Sequence, residues 1–373
     1  MTHRAAQLRQ RTDSRVFYQP QRPMFWLYVA LMVFAGFQTA TMFRPFVEFT
    51  PLALVLSLVL NGVLAFLFIR LINWLDLFER EPVSLPVAAF AWGGIVAPAL
   101  AVHSNDLLMA VAGKWGLNAW GASLAAPIDE EIFKLLGVVV VIVIGRAYID
   151  RPMDGLILGM MSGLGFEVVE NVLYGVQTAI ADVNGDVAAV WDVSLTRFLI
   201  GVGGHVLYTG ITGLGVGYAA TRTDRSTAVR GLVVAGTFAL AWAFHFLWDG
   251  PVLSGLIGIA VKYLLLLAAF FVLYRYAARR EWDWFVTTMS HQPVEVITPE
   301  ELVSMRTLHG RRRARRQAQR DGGRTNRRRV KDLQESQLGY AIAINRSRDP
   351  DTDPEVLDRW DEINRIRAAE DAP

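Results

Sequence analysis

Residues 125–145, AAPIDEEIFKLLGVVVVIVIG, are almost entirely apolar in their second half, but the first half carries Asp129, Glu130, Glu131 and Lys134. At the centre of a bilayer a single ionised side chain costs roughly 2.5 to 3.5 kcal/mol on insertion scales. On a helix Lys134 lies four residues after Glu130 and three after Glu131, so it can neutralise either carboxylate. The stretch therefore predicts a membrane-spanning helix whose charges are compensated by one another or belong to a buried site.

The composition favours a membrane protein over an ordinary soluble domain. The chain has 373 residues, of which 53% are hydrophobic, and its mean hydropathy is +0.31. It contains no cysteine, which excludes disulfides, cysteine-held iron–sulfur clusters and cysteine-ligated zinc. We predict an all-α fold, a polytopic membrane helix bundle with about eight transmembrane helices, near residues 24–43, 51–72, 83–102, 119–145, 154–175, 197–220, 230–249 and 252–274.

The distribution of basic residues predicts the orientation. Residues 1–23 hold five arginines and no signal-peptide cleavage pattern, and the ends and loops after the second, fourth and sixth spans are also basic. The opposite side has only Arg44, Lys114 and Arg197. By the positive-inside rule both termini are cytoplasmic. We therefore expect a cytoplasmic tail at 1–23, a transmembrane domain at 24–274 and a cytoplasmic tail at 275–373.

The C-terminal tail changes sharply in charge along its length. Residues 311–331, RRRARRQAQRDGGRTNRRRVK, contain eleven basic residues and one acid, whereas acids dominate from Asp332 onward. Low hydrophobicity with block charge predicts a largely disordered tail. The basic block could bind anionic lipid headgroups or remain a solvated positive-inside segment. Without interleaved aromatic residues, no specific nucleic-acid binding is expected.

Polar residues recur in the three spans that follow the opening stretch. Those of span five share one helical face, and the two of span seven lie one turn apart. The set comprises Glu167, Glu170, Asn171 and Tyr174 in span five, His205 in span six, and His245 and Asp249 in span seven. Glycines at 155, 159, 163 and 165 permit close packing of span five against its neighbours.

These residues fall at one predicted depth in the bilayer. Counted from the cytoplasmic ends at ~1.5 Å per residue, Glu130 lies about 22 Å deep, Glu170 about 24 Å, His205 about 26 Å and His245 about 22 Å. The agreement predicts one buried pocket in the outer half of the membrane. Buried ion pairs and helix–helix hydrogen bonds are the structural alternatives. Carboxylates and imidazoles without thiolates suit zinc, and glutamate with histidine also suits general-base activation of water.

The ordered motifs resemble those of the PrsW family of intramembrane proteases, a branch of the superfamily that includes the CAAX prenyl endopeptidases. The resemblance covers roughly residues 70–250 and includes the Leu75–Pro82 loop and Asp154-Gly155. Lys134 replaces the arginine of the CAAX proteases' first motif, and Glu170 stands where those proteases carry a histidine. Both differences favour the PrsW family. The matching motifs are Glu130-Glu131-x-x-Lys134, Phe166-x-x-x-Glu170-Asn171 with Tyr174, then His205, and His245-x-x-x-Asp249.

The resemblance implies a bacterial cell-membrane enzyme that cleaves a membrane-anchored protein, typically a single-pass anti-sigma factor, near its extracytoplasmic side. Glu130 would be the general base, with Glu131 and Lys134 setting its protonation and position. A metal such as Zn²⁺, or the water and oxyanion alone, would be held by Glu170, His205 and His245. Asn171 and Asp249 would orient these groups.

Two other function classes are compatible with the same polar residues. One is a transporter or channel that uses them as an ion or proton relay, although no inverted repeat is evident. The other is a non-catalytic scaffold that binds single-pass partners and signals through its tail.

Overall fold

The computed structural model describes residues 16–78, 81–181 and 186–369, and all regular elements within those ranges are helices. The chain separates into two compact units. Of the described residues, the first unit comprises those up to Leu75 together with those between Glu81 and Ala277, and the second comprises those between Asp76 and Phe78 and those from Ala278 onward.

Nine helices of the described residues begin in the first unit. They are α1 (Pro23–Phe49), α2 (Pro51–Leu75), α3 (Ser84–Lys114), α4 (Gly121–Ile144), α5 (Pro152–Ala181), α6 (Asp186–Leu199), α7 (Gly204–Thr221), α8 (Thr227–Asp249) and α9 (Gly255–Met289). Within the described ranges, α1, α2, α3, α5, α8 and α9 are long and apolar enough to cross a membrane, and α6 with α7 makes a seventh if that bent pair is one span. The prediction of a polytopic helical bundle is thus confirmed.

Two of the eight predicted spans differ from simple crossing helices. The span predicted at 197–220 is a pair of helices, α6 and α7, bent by 43° at the break between them. The opening stretch forms α4, which is 24 residues long but carries too much charge to qualify by composition alone. By length and composition the structure therefore supports six or seven spans.

A π-helical turn at Trp92–Val96 interrupts α3 where it packs on α4 and α5. The indole Nε1 of Trp92 donates a hydrogen bond to the carbonyl oxygen of Phe133, 2.9 Å away. Such turns are often found beside functional sites because they shift the residues that follow. Here the polar end of α3, with Ser104 and Asn105, reaches the carboxylates of α4.

Helices α5 and α7 pack with almost no space between their backbones. A Cβ added at Gly163 of α5 would overlap with the carbonyl oxygen of His205 in α7, and one at Gly155 would overlap with the backbone around Gly213. Small residues let membrane helices approach this closely. The contact brings His205 directly beside the polar face of α5.

The second unit has its own apolar core. Its helices after α9 are α10 (Pro299–Met305), α11 (Leu308–Arg346) and α12 (Pro354–Ala368). Thr298 and Glu301 form a capping box at the start of α10. The buried core residues are Phe78, Phe285, Met289, Val296, Ile297, Met305, Leu333, Tyr340, Ala341, Ala343, Val356 and Ile363.

The long helix α11 is a hairpin with a turn at Gly322 and Gly323, whose backbone angles are not helical. Side chains connect its two arms: Arg315 Nε donates to Gln334 Oε1 at 2.6 Å, and Arg327 Nη1 to Gln319 Oε1 at 3.0 Å. The structure thus differs from the prediction of a largely disordered tail. The average charge of this region masks widely spaced apolar residues that meet in one core, while most arginines face outward.

Candidate functional site

Helix α4 brings four ionisable side chains into the interior of the first unit. Asp129, Glu130, Glu131 and Lys134 are all buried, and Glu131 and Lys134 have no exposed surface. Lys134 Nζ lies 2.7 Å from Glu131 Oε1 and 3.9 Å from Glu130 Oε2. Of the two glutamates predicted to pair with Lys134, Glu131 is therefore the closer one. Helix α4 continues through Pro127, so the charged residues that follow are not at the N-terminus of a new helix.

The polar face of α5 holds the next group. Glu167 Oε1 accepts a hydrogen bond from the backbone N–H of Gly203 at 2.6 Å. Glu170 Oε2 lies 3.1 Å from His205 Nε2 and 2.5 Å from Arg197 Nη2. The residues predicted to share a helical face therefore contact the beginning of α7 and the end of α6.

His205 joins the α4 and α5 groups. Its Nδ1 lies 2.8 Å from Lys134 Nζ. Because an ammonium group only donates hydrogen bonds, Nδ1 must accept, and Nε2 then carries the hydrogen that is donated to Glu170. The ring also packs against Phe166 at 4.9 Å between centroids. These contacts define both the orientation and the tautomer of His205.

His245 has a carboxylate at each ring nitrogen. Its Nδ1 lies 3.0 Å from Glu131 Oε1, and its Nε2 lies 3.3 Å from Asp249 Oδ2, one turn later on α8. Tyr208 stacks on the ring, with centroids 4.9 Å apart and planes 13° apart. The His205 and His245 rings are 5.1 Å apart. Two imidazoles from different helices thus meet beside the α4 carboxylates.

Together these contacts form one connected network. The structure brings together all eight residues that the sequence nominates as catalytic: Glu130, Glu131, Lys134, Glu170, Asn171, His205, His245 and Asp249. Their roles in a reaction remain predictions. Of the resembling loop at Leu75–Pro82, Glu79 and Arg80 lie outside the described residues.

Several site residues were missed by the sequence analysis. Asn105 Nδ2 donates to Glu130 Oε1 at 3.2 Å, and Ser104 Oγ to Asp129 Oδ2 at 2.5 Å. The sequence analysis counts Arg197 only among the few basic residues of the side opposite the termini, and it gives Tyr208 no role. For Tyr208 the sequence did carry a signal, its spacing. It follows His205 by three residues and therefore shares the helical face of that histidine.

A cavity of about 350 Å³ opens onto this network. Four carboxylates line it, from Glu130, Glu167, Glu170 and Asp249, together with Arg197 and the two histidines. Carboxylate oxygens and imidazole nitrogens therefore predominate among the polar atoms at its wall, and these are the atoms that ligate a cation. Glu131 and Lys134 lie behind the wall, so they contact the cavity only through their neighbours.

The residues present fit a metal ion. Glu130, His205 and His245 each offer a ligand atom, and these atoms lie within 4.8 Å of one another. Glu130 Oε2 is buried and has no hydrogen-bond partner among the described residues. Both ring nitrogens of His205 contact other groups, Lys134 and Glu170, so a bound ion would replace one of these contacts.

This set differs from the ligands expected from the resemblance. Glu170 was expected beside the histidines, but its carboxylate pairs with Arg197 and is not part of the group of three. The possible site contains Glu130 in that position, and the role of Glu170 as a ligand stays a prediction. The reason is geometric, because Glu130 Oε2 lies 3.9 Å from both His205 Nδ1 and His245 Nε2.

The geometry agrees with the outcome of a comparison with known families. The profile of the PrsW family of intramembrane metalloproteases matches residues 81–275, more than half of the chain. The chain belongs to the PrsW family. Protease PrsW of Geobacillus kaustophilus (strain HTA426) is 29% identical over 183 residues, which cover 48% of this chain and 72% of that protein. No solved structure matches the chain.

Membership of the PrsW family makes the protein an intramembrane protease, a peptide-bond hydrolase that acts on membrane proteins. With its apolar helices, it is a multi-pass membrane protein of a bacterium. The family is described as one of metalloproteases, in keeping with the possible metal site formed by Glu130, His205 and His245. The transporter and scaffold hypotheses are not needed to explain the polar network.

Proposed function

We propose that this PrsW-family protein hydrolyses a peptide bond of a single-pass membrane protein, near the extracytoplasmic side, with Glu130 as the group that activates water. The supporting observation is Glu130 Oε2, a buried oxygen without a hydrogen-bond partner among the described residues. It lies at the cavity and 3.9 Å from a nitrogen of each histidine. A water molecule in the cavity can donate to this oxygen.

The reaction requires a proton transfer at Glu130. As the water oxygen attacks the carbonyl carbon of the substrate, its proton passes to Glu130 Oε2, and the carbonyl oxygen becomes negatively charged. The proton is then delivered to the nitrogen of the leaving amine as the C–N bond breaks. Asn105 holds Glu130 Oε1 from the opposite side, which leaves Oε2 to face the cavity.

The other residues of the network orient the reacting groups. Glu131 and Lys134 are fully buried and pair with each other, so they fix His205 and His245 rather than contact substrate. Asp249 holds His245 Nε2, and Asn171 accepts a hydrogen bond from Arg197. The histidines are proposed to hold the water and to stabilise the oxyanion, for which each would exchange one of its present contacts.

We propose, as a second form of the mechanism, that Glu130, His205 and His245 hold Zn²⁺; in that form Glu130 would serve as a ligand and not as the base. A carboxylate with two imidazoles and no thiolate is a ligand set that suits this ion. When bound, the ion lowers the pKa of water and polarises a carbonyl oxygen.

The extracytoplasmic location of cleavage rests on helix lengths and on the predicted orientation. Glu130 lies 14 residues before Ile144, the predicted cytoplasmic end of α4, which corresponds to ~21 Å at ~1.5 Å per residue. That distance exceeds half of the ~30 Å hydrocarbon core. An anti-sigma factor is the proposed substrate, through the resemblance to PrsW proteases.

Cleavage by purified protein tests the proposed activity. Wild type, Glu130→Gln and His245→Ala are incubated in detergent with a panel of purified single-pass membrane proteins that includes anti-sigma factors. Wild type should cut at least one, and each variant should lose about a hundredfold or more in kcat. Glu48→Gln, an exposed glutamate paired with Arg44, is the matched control and should cut normally. Equal cleavage by wild type and variants, or none by wild type, contradicts the proposal.

We also propose that the outward face of α11 binds anionic lipid headgroups. Near a negatively charged surface each basic residue contributes about 1 kcal/mol. Trypsin should cut after the exposed arginines of α11 more slowly when the protein is in phosphatidylglycerol vesicles than when it is in phosphatidylcholine vesicles. About 1 M salt should abolish the difference. Identical cleavage in both lipids contradicts the proposed lipid binding. The exposed arginines are Arg312, Arg313, Arg316, Arg320, Arg324, Arg327 and Arg328.

A further inference from the structure

The break between α6 and α7 lies at the wall of the cavity. Ile200, Gly201 and Gly204 line the cavity there, next to Arg197 in the last turn of α6. Gly201 and Gly203 have φ angles of 91° and 81°, values that strongly favour glycine. The N–H of Gly203 is bonded to Glu167 of α5. The start of α7, and with it His205, is therefore attached to α5.

Arg197 makes the corresponding attachment from α6. Its Nη2 pairs with Glu170 Oε2 at 2.5 Å, and its Nε donates to Asn171 Oδ1. The guanidinium carbon lies 4.2 Å from the ring centroid of Tyr174. One arginine thus contacts three polar residues on the same face of α5. Only a guanidinium can donate in two directions while its plane lies over an aromatic ring.

The oxygen that Arg197 contacts is the one that faces His205. Glu170 Oε2 lies 3.1 Å from His205 Nε2, so the same atom receives both interactions. The Glu170 side chain retains 21% exposure and would have freedom to rotate away without this contact. Among the described residues Arg197 makes no hydrogen bond to His205, so the polar connection between them runs through Glu170.

We propose that Arg197 is a positioning residue of the protease, which holds the Glu170 carboxylate against His205 and thereby fixes the ring in the cavity. This inference rests on the proposed proteolytic function and adds a residue from α6 to it. The competing role on the same contacts is attachment of α6 to α5 alone. The two roles differ in which measured quantity changes when the arginine is removed.

Kinetics on the cleaved single-pass protein provide the first test. Arg197→Met should lower kcat by about tenfold or more and change KM by less than about twofold, because alignment is lost but substrate contacts are not. Arg197→Lys should recover part of kcat, since lysine can pair with Glu170 but cannot also bond Asn171. Arg44→Met removes an arginine from an exposed ion pair and should have no effect. A kcat for Arg197→Met within about twofold of wild type overturns the inference.

A double-mutant comparison tests whether the effect passes through Glu170. If it does, Glu170→Gln with Arg197→Met should be no slower than Glu170→Gln alone, because the contact is already lost. Losses that multiply instead would overturn the proposed route. If wild type cuts no member of the panel, the proposed function itself fails, whereas equal cleavage by wild type and Arg197→Met removes only the role of Arg197.

A measurement without substrate distinguishes positioning from simple attachment of α6. Val190 of α6 is fully buried against Ala53 and Ala179, and the chain has no cysteine. Val190→Cys therefore supplies a single thiol that reacts with a water-soluble maleimide only when α6 separates from its neighbours. Adding Arg197→Met should change the labelling rate by less than about twofold. Labelling that rises in proportion to the loss of kcat would show that Arg197 only attaches α6, and would overturn the proposal.

Discussion

At the scale of single residues, two adjacent glutamates have different environments. Glu131 has no exposed surface and pairs with Lys134 and His245, whereas Glu130 keeps one oxygen free of hydrogen bonds beside both histidines. The sequence predicts that these residues are paired and functional, from their cost in an apolar helix. It cannot predict which one faces the cavity, because helix rotation and the position of His245 decide this.

Metal content distinguishes the two ligand sets for the site. In the metal-bound form of the mechanism, purified wild type should hold about one divalent ion per chain, which His205→Ala and Glu130→Gln should lose. Glu170→Gln should retain the ion, because Glu170 contacts Arg197 and lies outside the group of three. Elemental analysis after gel filtration measures the ratio, with Glu48→Gln as the control. Loss of metal in Glu170→Gln but not in Glu130→Gln would restore the set expected from the sequence.

Asn105 provides a second test at this scale. Asn105→Ala removes the donor to Glu130 Oε1, so the carboxylate should rotate and kcat should fall roughly tenfold, as expected for a hydrogen bond to a charged group, which contributes about 1.5–3 kcal/mol. Asn73→Ala, at an exposed position of α2, is the control. Cleavage rates at saturating substrate measure the effect. An unchanged kcat for Asn105→Ala would show that Glu130 is held by other contacts.

At the scale of helices, the sequence predicts elements better than their interruptions. The glycines of α5 predict close packing, and the structure shows it against α7. The break after Leu199 is not predicted, because the apolar pattern continues through it and the bend depends on contacts of Gly203 and Arg197 with α5. The same limit applies to α11, where a charged segment folds because distant apolar residues complete a core.

The contact between α5 and α7 predicts a large effect from a small change. Gly163→Ala places a methyl group where the carbonyl oxygen of His205 lies, so the helices must separate. Overpacking of this kind costs about 1–3 kcal/mol and should also displace His205. Both the melting temperature and kcat should fall. Gly36→Ala, where a Cβ meets nothing within 4 Å, should change neither. A normal kcat in Gly163→Ala would mean that α7 can shift without moving the site.

At the scale of the whole molecule, the chain combines two units with different sources of stability. In the first, most polar side chains of the site pair with one another inside an apolar bundle, and Glu130 Oε2 is left without a partner among the described residues, so the site and the packing depend on each other. The second is stabilised by a core that includes Phe285 and Met305 and by ordinary caps such as that of Thr298. No residue of the polar network belongs to the second unit. The two units should therefore respond separately to substitution.

Substitutions at Ile363 and Leu357, both in α12, test whether the two units respond separately. Ile363 is fully buried in the core of the second unit, whereas Leu357 is 47% exposed. Ile363→Asn buries an amide without partners and should destabilise that unit by about 2–4 kcal/mol, while Leu357→Asn should have little effect. Hydrogen exchange should accelerate in α10–α12 but not in α5 or α7, and the cleavage rate should stay within about twofold. Faster exchange in α5 or α7, or a large loss of cleavage in Ile363→Asn, would show that the catalytic unit depends on the second unit for its structure.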